Sequence, residues 1–162
     1  EALCSLTDAE LQDLRVIHQT GAKDEEQVRN AYQKRGVDAE VAGFFTNMHD
    51  VYEQADLLVS RAGATTLSEI AVLGKPAILI PYPYAADNHQ EKNGQYYVTG
   101  GGAVQFTQKD LTGKELRETI LQLLNNEKQL DQMGAAMKRL AFPDAAERIV
   151  ACCLEEIEKR HP

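Results

Sequence analysis

Five short apolar runs, separated by segments of helical periodicity, limit this chain to very few folds. The runs are LRVIHQT (residues 14–20), AEVAGFF ending near Gly43, residues 56–60, AILIPY from Ala77 and AVQFT from Ala103. Between them, residues 24–35 place Val28, Ala31 and Tyr32 on one face, and Gly36 ends that helix. Asn47 can cap a short helix MHDVYEQA, residues 66–73 form another, and GKP closes it because glycine accepts a left-handed cap and proline cannot continue. The loop PYAADNHQ leads to a helix reaching about Val98, and glycines 100–102 terminate it. Two or three amphipathic helices follow, over about residues 114–125, 127–140 and 145–160.

Nearly continuous apolar strands alternating with helices predict a parallel sheet covered on both faces, an α/β doubly wound fold. Such sheets hold ligands outside the carboxyl ends of their strands. That rim contains residues 43–47, 61–66 and 82–90. The opening EALCSL reads as the tail of a helix, so the strand and loop expected before it are absent. It has neither an initiator Met nor signal-peptide architecture, which suggests a piece of something longer.

A length of 162 residues fits a single domain over 1–162. The net charge of −8, with no basic stripe, argues against nucleic acid as a partner. The longest apolar run contains two prolines and falls far short of the roughly 20 residues that span a bilayer. Cys4, Cys152 and Cys153 suit neither a disulfide framework nor a spaced zinc motif, and a reducing cytosol is the simplest setting.

On the rim, RAGATTLSE is a small-residue turn leading into a helix, where exposed amides and the positive end of the helix dipole suit phosphate. It has neither a Walker lysine nor the three glycines of a dinucleotide fingerprint. Glu69 has two readings. With Thr66 it fits a T-x-x-E capping box; alternatively it accepts hydrogen bonds from a ribose diol. In DNHQEKNG, Asp87 or Asn88 can cap a helix, while His89 and Gln90 can equally hydrogen-bond sugar hydroxyls. In GFFTNM, Phe44 and Phe45 are either core residues or a loop against which a flat base lies, its edge read by the backbone. His18 reads as structural, and His49 and His161 have no partner identifiable from spacing. No HExxH, CxxC or DxD motif appears, and Ser60 and Ser68 have no triad partners.

The order HQTG, GFFTNM, SRAGATTLSE, DNHQEKNG resembles the carboxyl-terminal, donor-binding half of the MurG family, from Leu14 onward. The resemblance implies a Rossmann-like half of a GT-B glycosyltransferase that moves N-acetylglucosamine from UDP-N-acetylglucosamine to undecaprenyl-diphosphate-muramoyl-pentapeptide, at the cytoplasmic face of the bacterial inner membrane. By motif it implies Phe45 at the uracil-reading position. Ala64, Thr65, Thr66, Leu67, Ser68 and Glu69 then face the nucleotide, with Thr65 and Thr66 near the pyrophosphate and Glu69 on the ribose. His89 and Gln90 fall at the sugar. The family's first strand with its GGSxGA loop, and its acceptor half with the catalytic base and the membrane-docking patch, have no counterpart here. No catalytic residue, metal or cofactor is therefore expected in this chain, and membrane contact is expected only through the absent half.

Three alternatives stay open at this stage. One is a natural half-enzyme that binds UDP-N-acetylglucosamine and pairs with a membrane partner in lipid-linked oligosaccharide synthesis. Another is a UDP-N-acetylglucosamine 2-epimerase, which the TTLSE helix resembles less well. The third is a non-catalytic α/β module whose rim is merely capped helices.

Overall fold

The computed structural model describes residues 1–160. It contains five strands, β1 (Arg15–Gln19), β2 (Asp38–Ala42), β3 (Leu58–Ser60), β4 (Ala77–Leu79) and β5 (Ala103–Gln105). Its helices are α1 (Asp8–Leu11), α2 (Glu25–Arg35), α3 (Met48–Gln54), α4 (Ala64–Leu73), α5 (His89–Thr99), α6 (Gly113–Leu124), α7 (Glu127–Leu140) and α8 (Ala145–Arg160). Every strand pairing is parallel, as the apolar runs predict.

The sheet is in two pieces, β1–β2 and β3–β4–β5. Neighbouring strands must lie about 4.8 Å apart to share a ladder, and no strand among the described residues joins β1 to β3. Strand β4, at the centre of the larger piece, is wholly buried at Ala77, Ile78 and Leu79. One face of this piece packs Leu67, Ile70 and Ala71 of α4 with Met137 of α7. Ile78 instead joins Ile120, Leu123 and Met133 from α6 and α7. A third cluster closes the smaller sheet, with Leu6, Leu11, Tyr32, Val37 and Val41.

The amino-terminal segment departs from expectation. EALCSL is not a helix tail: Leu3–Ser5 is one 3₁₀ turn, and α1 follows it. Thr7 starts α1 with a reciprocal capping box, its hydroxyl accepting the Glu10 amide and the Glu10 carboxylate accepting the Thr7 amide. Glu10 also receives the Arg117 guanidinium at 2.7 Å, which ties α1 to α6. The same device opens α6 at Thr112 and Glu115.

Helix α8 differs from the others. Its Ile149, Val150, Leu154 and Ile157 are all exposed. No described helix is long and apolar enough to cross a membrane.

Candidate functional site

Helix α4 begins two residues before the predicted position. Gly63 is its N-cap, in extended conformation (φ −67°, ψ 139°), and its carbonyl accepts the Leu67 amide at 2.9 Å. Thr66 is therefore inside the first turn, and no side chain caps this helix. The capping box expected from Thr66 and Glu69 does not form, because a box needs its threonine at the N-cap. The amides of Ala64, Thr65 and Thr66 belong to the first turn, whose N–H groups have no intrahelical carbonyl to bond.

The side chains sort by helix geometry. Leu67 and Ile70 are buried and Thr66 is half-buried, while Ala64, Thr65, Ser68 and Glu69 are exposed. Leu67 lies in the core and supports the turn from beneath, and the Ser68 hydroxyl donates back to the Ala64 carbonyl. Tyr52 of α3 packs in the same core, and burial pushes its phenol up from its ordinary value, with the Glu69 carboxylate beside it adding to the rise. Glu69 thus lies on the side of α4 that meets Tyr52 of α3, with no cap to serve.

The neighbouring rim segment is fastened to this turn. Arg61 donates to the carbonyls of Ile80 and Pro81 at 3.0 and 3.2 Å, and its guanidinium lies 5.7 Å from the Tyr82 ring centroid. Asn93 of α5 donates to the Ala62 carbonyl at 3.3 Å. Nothing in the sequence pattern singles out Arg61, whose role is visible only once β3 and β4 lie side by side. Asp87 and Asn88 both have positive φ, 51° and 52°, an uncommon conformation that Asp and Asn tolerate better than most residues. Asn88 is the N-cap of α5 but makes no capping bond, so the predicted cap there is absent too. A capping side chain reaches the first helical amides from an extended residue, a conformation that Asn88 does not have.

His89 and Gln90 then open α5. The His89 Nδ1 lies 2.8 Å from the Ala86 carbonyl, so that nitrogen donates and Nε2 is left for another partner. Gln90 accepts the Tyr82 amide at 2.9 Å through Oε1, which leaves its NH₂ to donate elsewhere.

The third segment lies on the β2–α3 loop. Phe44 is 72% exposed, so it is not a core residue, and Phe45 is half-buried. The Phe45 amide donates to Gln19 Oε1 at 2.9 Å. His18 is structural: its Nδ1 pairs with the Tyr32 hydroxyl at 2.9 Å, and burial lowers its pKa. His49 faces Glu53 at 3.4 Å on the surface, and His161 lies outside the described residues. Among the described residues no cluster of three or more His, Cys, Asp or Glu could hold a metal. A broad groove lies at the opposite end of the strands, lined by Asp56, Lys75, Glu127, Asp131 and Lys138, and shares no residue with this rim.

Helix-start amides, an exposed carboxylate and a carboxamide stand at the carboxyl ends of parallel strands, the edge at which α/β domains of this class commonly bind ligands. The chain belongs to the glycosyltransferase family 28 C-terminal domain family, which it matches over residues 1–149. It is 50% identical over 159 residues to the UDP-N-acetylglucosamine–N-acetylmuramyl-(pentapeptide) pyrophosphoryl-undecaprenol N-acetylglucosamine transferase of Desulfotalea psychrophila, covering 98% of this chain and 43% of that protein. The enzyme of the same name from Anaeromyxobacter sp. strain Fw109-5 is 44% identical, over 99% of this chain and 42% of its own length. Among solved structures, Acinetobacter baumannii MurG superposes with a TM-score of 0.81 at 28% identity, over 95% of this chain and 48% of that one. The chain thus spans less than half the length of these relatives.

Proposed function

We propose that this chain is the donor-binding domain of an inverting N-acetylglucosaminyltransferase acting in peptidoglycan synthesis. The donor is UDP-N-acetylglucosamine, and the acceptor is the undecaprenyl-diphosphate-linked muramoyl-pentapeptide. Family membership and the names of the relatives support this reading. The observation that carries it to the site is the start of α4, uncapped by any side chain and with Glu69 exposed one turn further on.

In this reading the amides of Ala64, Thr65 and Thr66 face the pyrophosphate, and Glu69 accepts from the ribose diol. Phe45 reads the uracil edge, and His89 Nε2 and the Gln90 NH₂ meet the sugar hydroxyls. The reaction is a single displacement at the anomeric carbon. A base outside this chain takes the proton of the acceptor 4-hydroxyl, the new glycosidic bond forms with inversion, and the electron pair of the broken bond leaves on UDP. The helix-start amides stabilise that developing charge. No group in this chain need act as nucleophile.

The remaining length of the protein carries the acceptor site, the base and a peripheral contact with the cytoplasmic face of the inner membrane. A strand from that remainder, entering between β1 and β3, would join the two pieces of the sheet. Calorimetric titration of UDP-N-acetylglucosamine and UDP into the full-length protein and its Glu69→Ala variant tests the reading. Loss of a carboxylate–hydroxyl bond worth about 1.5–3 kcal/mol predicts roughly 10- to 100-fold weaker donor binding. Equal affinity in the two proteins would refute the ribose assignment.

A further inference from the structure

The chain leaves β2 at Ala42 and enters α3 at Met48 through a loop with little support from its own backbone. Among the described residues, no main-chain amide from Phe44 to Asn47 donates to a main-chain carbonyl. Two side chains from the other side of the small sheet hold the loop instead. Gln19, the last residue of β1, accepts the Phe45 amide at 2.9 Å, and Glu25, the first residue of α2, accepts the Gly43 amide at 2.8 Å. Glu25 is braced in turn by Arg29 at 2.6 Å, and the same guanidinium donates to the Val41 carbonyl.

Gly43 makes this approach possible. A Cβ there would lie 2.9 Å from Glu25 Oε2 and 3.0 Å from the Ala22 backbone. The loop is therefore seated against the β1–α2 turn, with Gly21 also donating to the Gly43 carbonyl at 3.0 Å.

We infer that Gln19 is a positioning residue for base recognition: its carboxamide fixes the peptide at Phe45 and so sets selectivity for uracil over cytosine. The inference rests on the reading of Phe45 as the base-reading position. With the Phe45 amide engaged by Gln19, the group at this residue left for a ligand is its carbonyl, which accepts no hydrogen bond among the described residues. A carbonyl accepts from the N3–H of uracil. Cytosine carries a lone pair at N3 and would set acceptor against acceptor. Releasing the amide lets the peptide rotate and removes that discrimination.

The experiment uses the full-length protein with UDP and CDP as probes, comparing wild type, Gln19→Leu and Gln19→Glu by calorimetry. The ratio of UDP to CDP affinity is the readout, because unfolded protein lowers the active fraction for both ligands alike. Gln19→Leu removes the acceptor, and its ratio is expected to fall roughly tenfold. Gln19→Glu keeps an acceptor for the Phe45 amide and is expected to retain the wild-type ratio. An unchanged ratio in Gln19→Leu overturns the inference. A loss in both variants overturns the positioning role, because it would mean that the Gln19 NH₂ itself contacts the base. Absence of UDP binding in the wild type overturns the site reading beneath it.

Discussion

Asn93 donates its side-chain N–H to the carbonyl of Ala62 at 3.3 Å, and this bond links the helix that presents His89 and Gln90 to the turn that opens α4. Two rim segments separated by a strand and a loop are thereby held in one register. Asn93→Ala is expected to lower stability by about 1 kcal/mol, the net value of one such bond. Donor affinity should fall as well, since the sugar-facing and phosphate-facing groups lose their common anchor. Urea titration and calorimetry on the same variant check both parts; intact donor affinity would mean that the bond is only structural.

The T-x-x-E pattern occurs at Thr7, Thr66 and Thr112, with Glu at the third position after each, but only the first and last form capping boxes. Thr112→Ala is therefore expected to cost about 1 kcal/mol of stability. Glu69→Ala should stay within about 0.5 kcal/mol, as for an exposed residue that serves no cap. Chemical denaturation of the two variants provides the comparison. A large loss in Glu69→Ala would point to a structural role that the helix start does not display.

Gly134 lets α7 lie directly on the end of α4, for a Cβ there would come 2.6 Å from the Gly74 carbonyl. The obstacle is backbone and cannot swing aside. Gly134→Ala is expected to destabilise by about 1–3 kcal/mol through overpacking, despite alanine's better helix propensity. A melting temperature at or above that of the wild type would contradict this packing.

Arg117, through its hydrogen bond, together with Thr7 holds the Glu10 carboxyl down at about 2. An unfolded glutamate titrates near 4.3. Its contribution is therefore complete above that value and disappears as pH falls from about 4.3 through about 2. Thermal melts between pH 6 and pH 2 should show wild type losing stability more steeply in this window than Glu10→Gln. Parallel curves would show that the pair does not contribute.

Much of the fold is legible in the sequence. The succession of strands and helices along the chain, the parallel pairing and helices such as Glu127–Leu140 follow from apolar runs and helical spacing, whereas the division of the sheet into two pieces does not. The segment after EALCSL was equally readable, since TDAE carries its own capping signal, yet the apolar start suggested a helix tail. Glu69 shows where local pattern stops being informative. Its spacing to Thr66 is the same as in the two real boxes, and what decides between them is the position of Gly63, two residues upstream of where the helix was expected to begin.

The sequence by itself determined which residue types stand at the strand ends, because hydrophobic periodicity and turn residues act over a few positions. Tertiary structure alone decided which of them serve one another. Gln19 meets Phe45 across 26 residues, Asn93 meets Ala62 across 31, and Arg61 reaches the carbonyl of Pro81 across 20. Such bonds depend on parallel strands bringing their carboxyl ends to a common edge, a relationship set by packing of the whole sheet and carried by no local stretch of the chain.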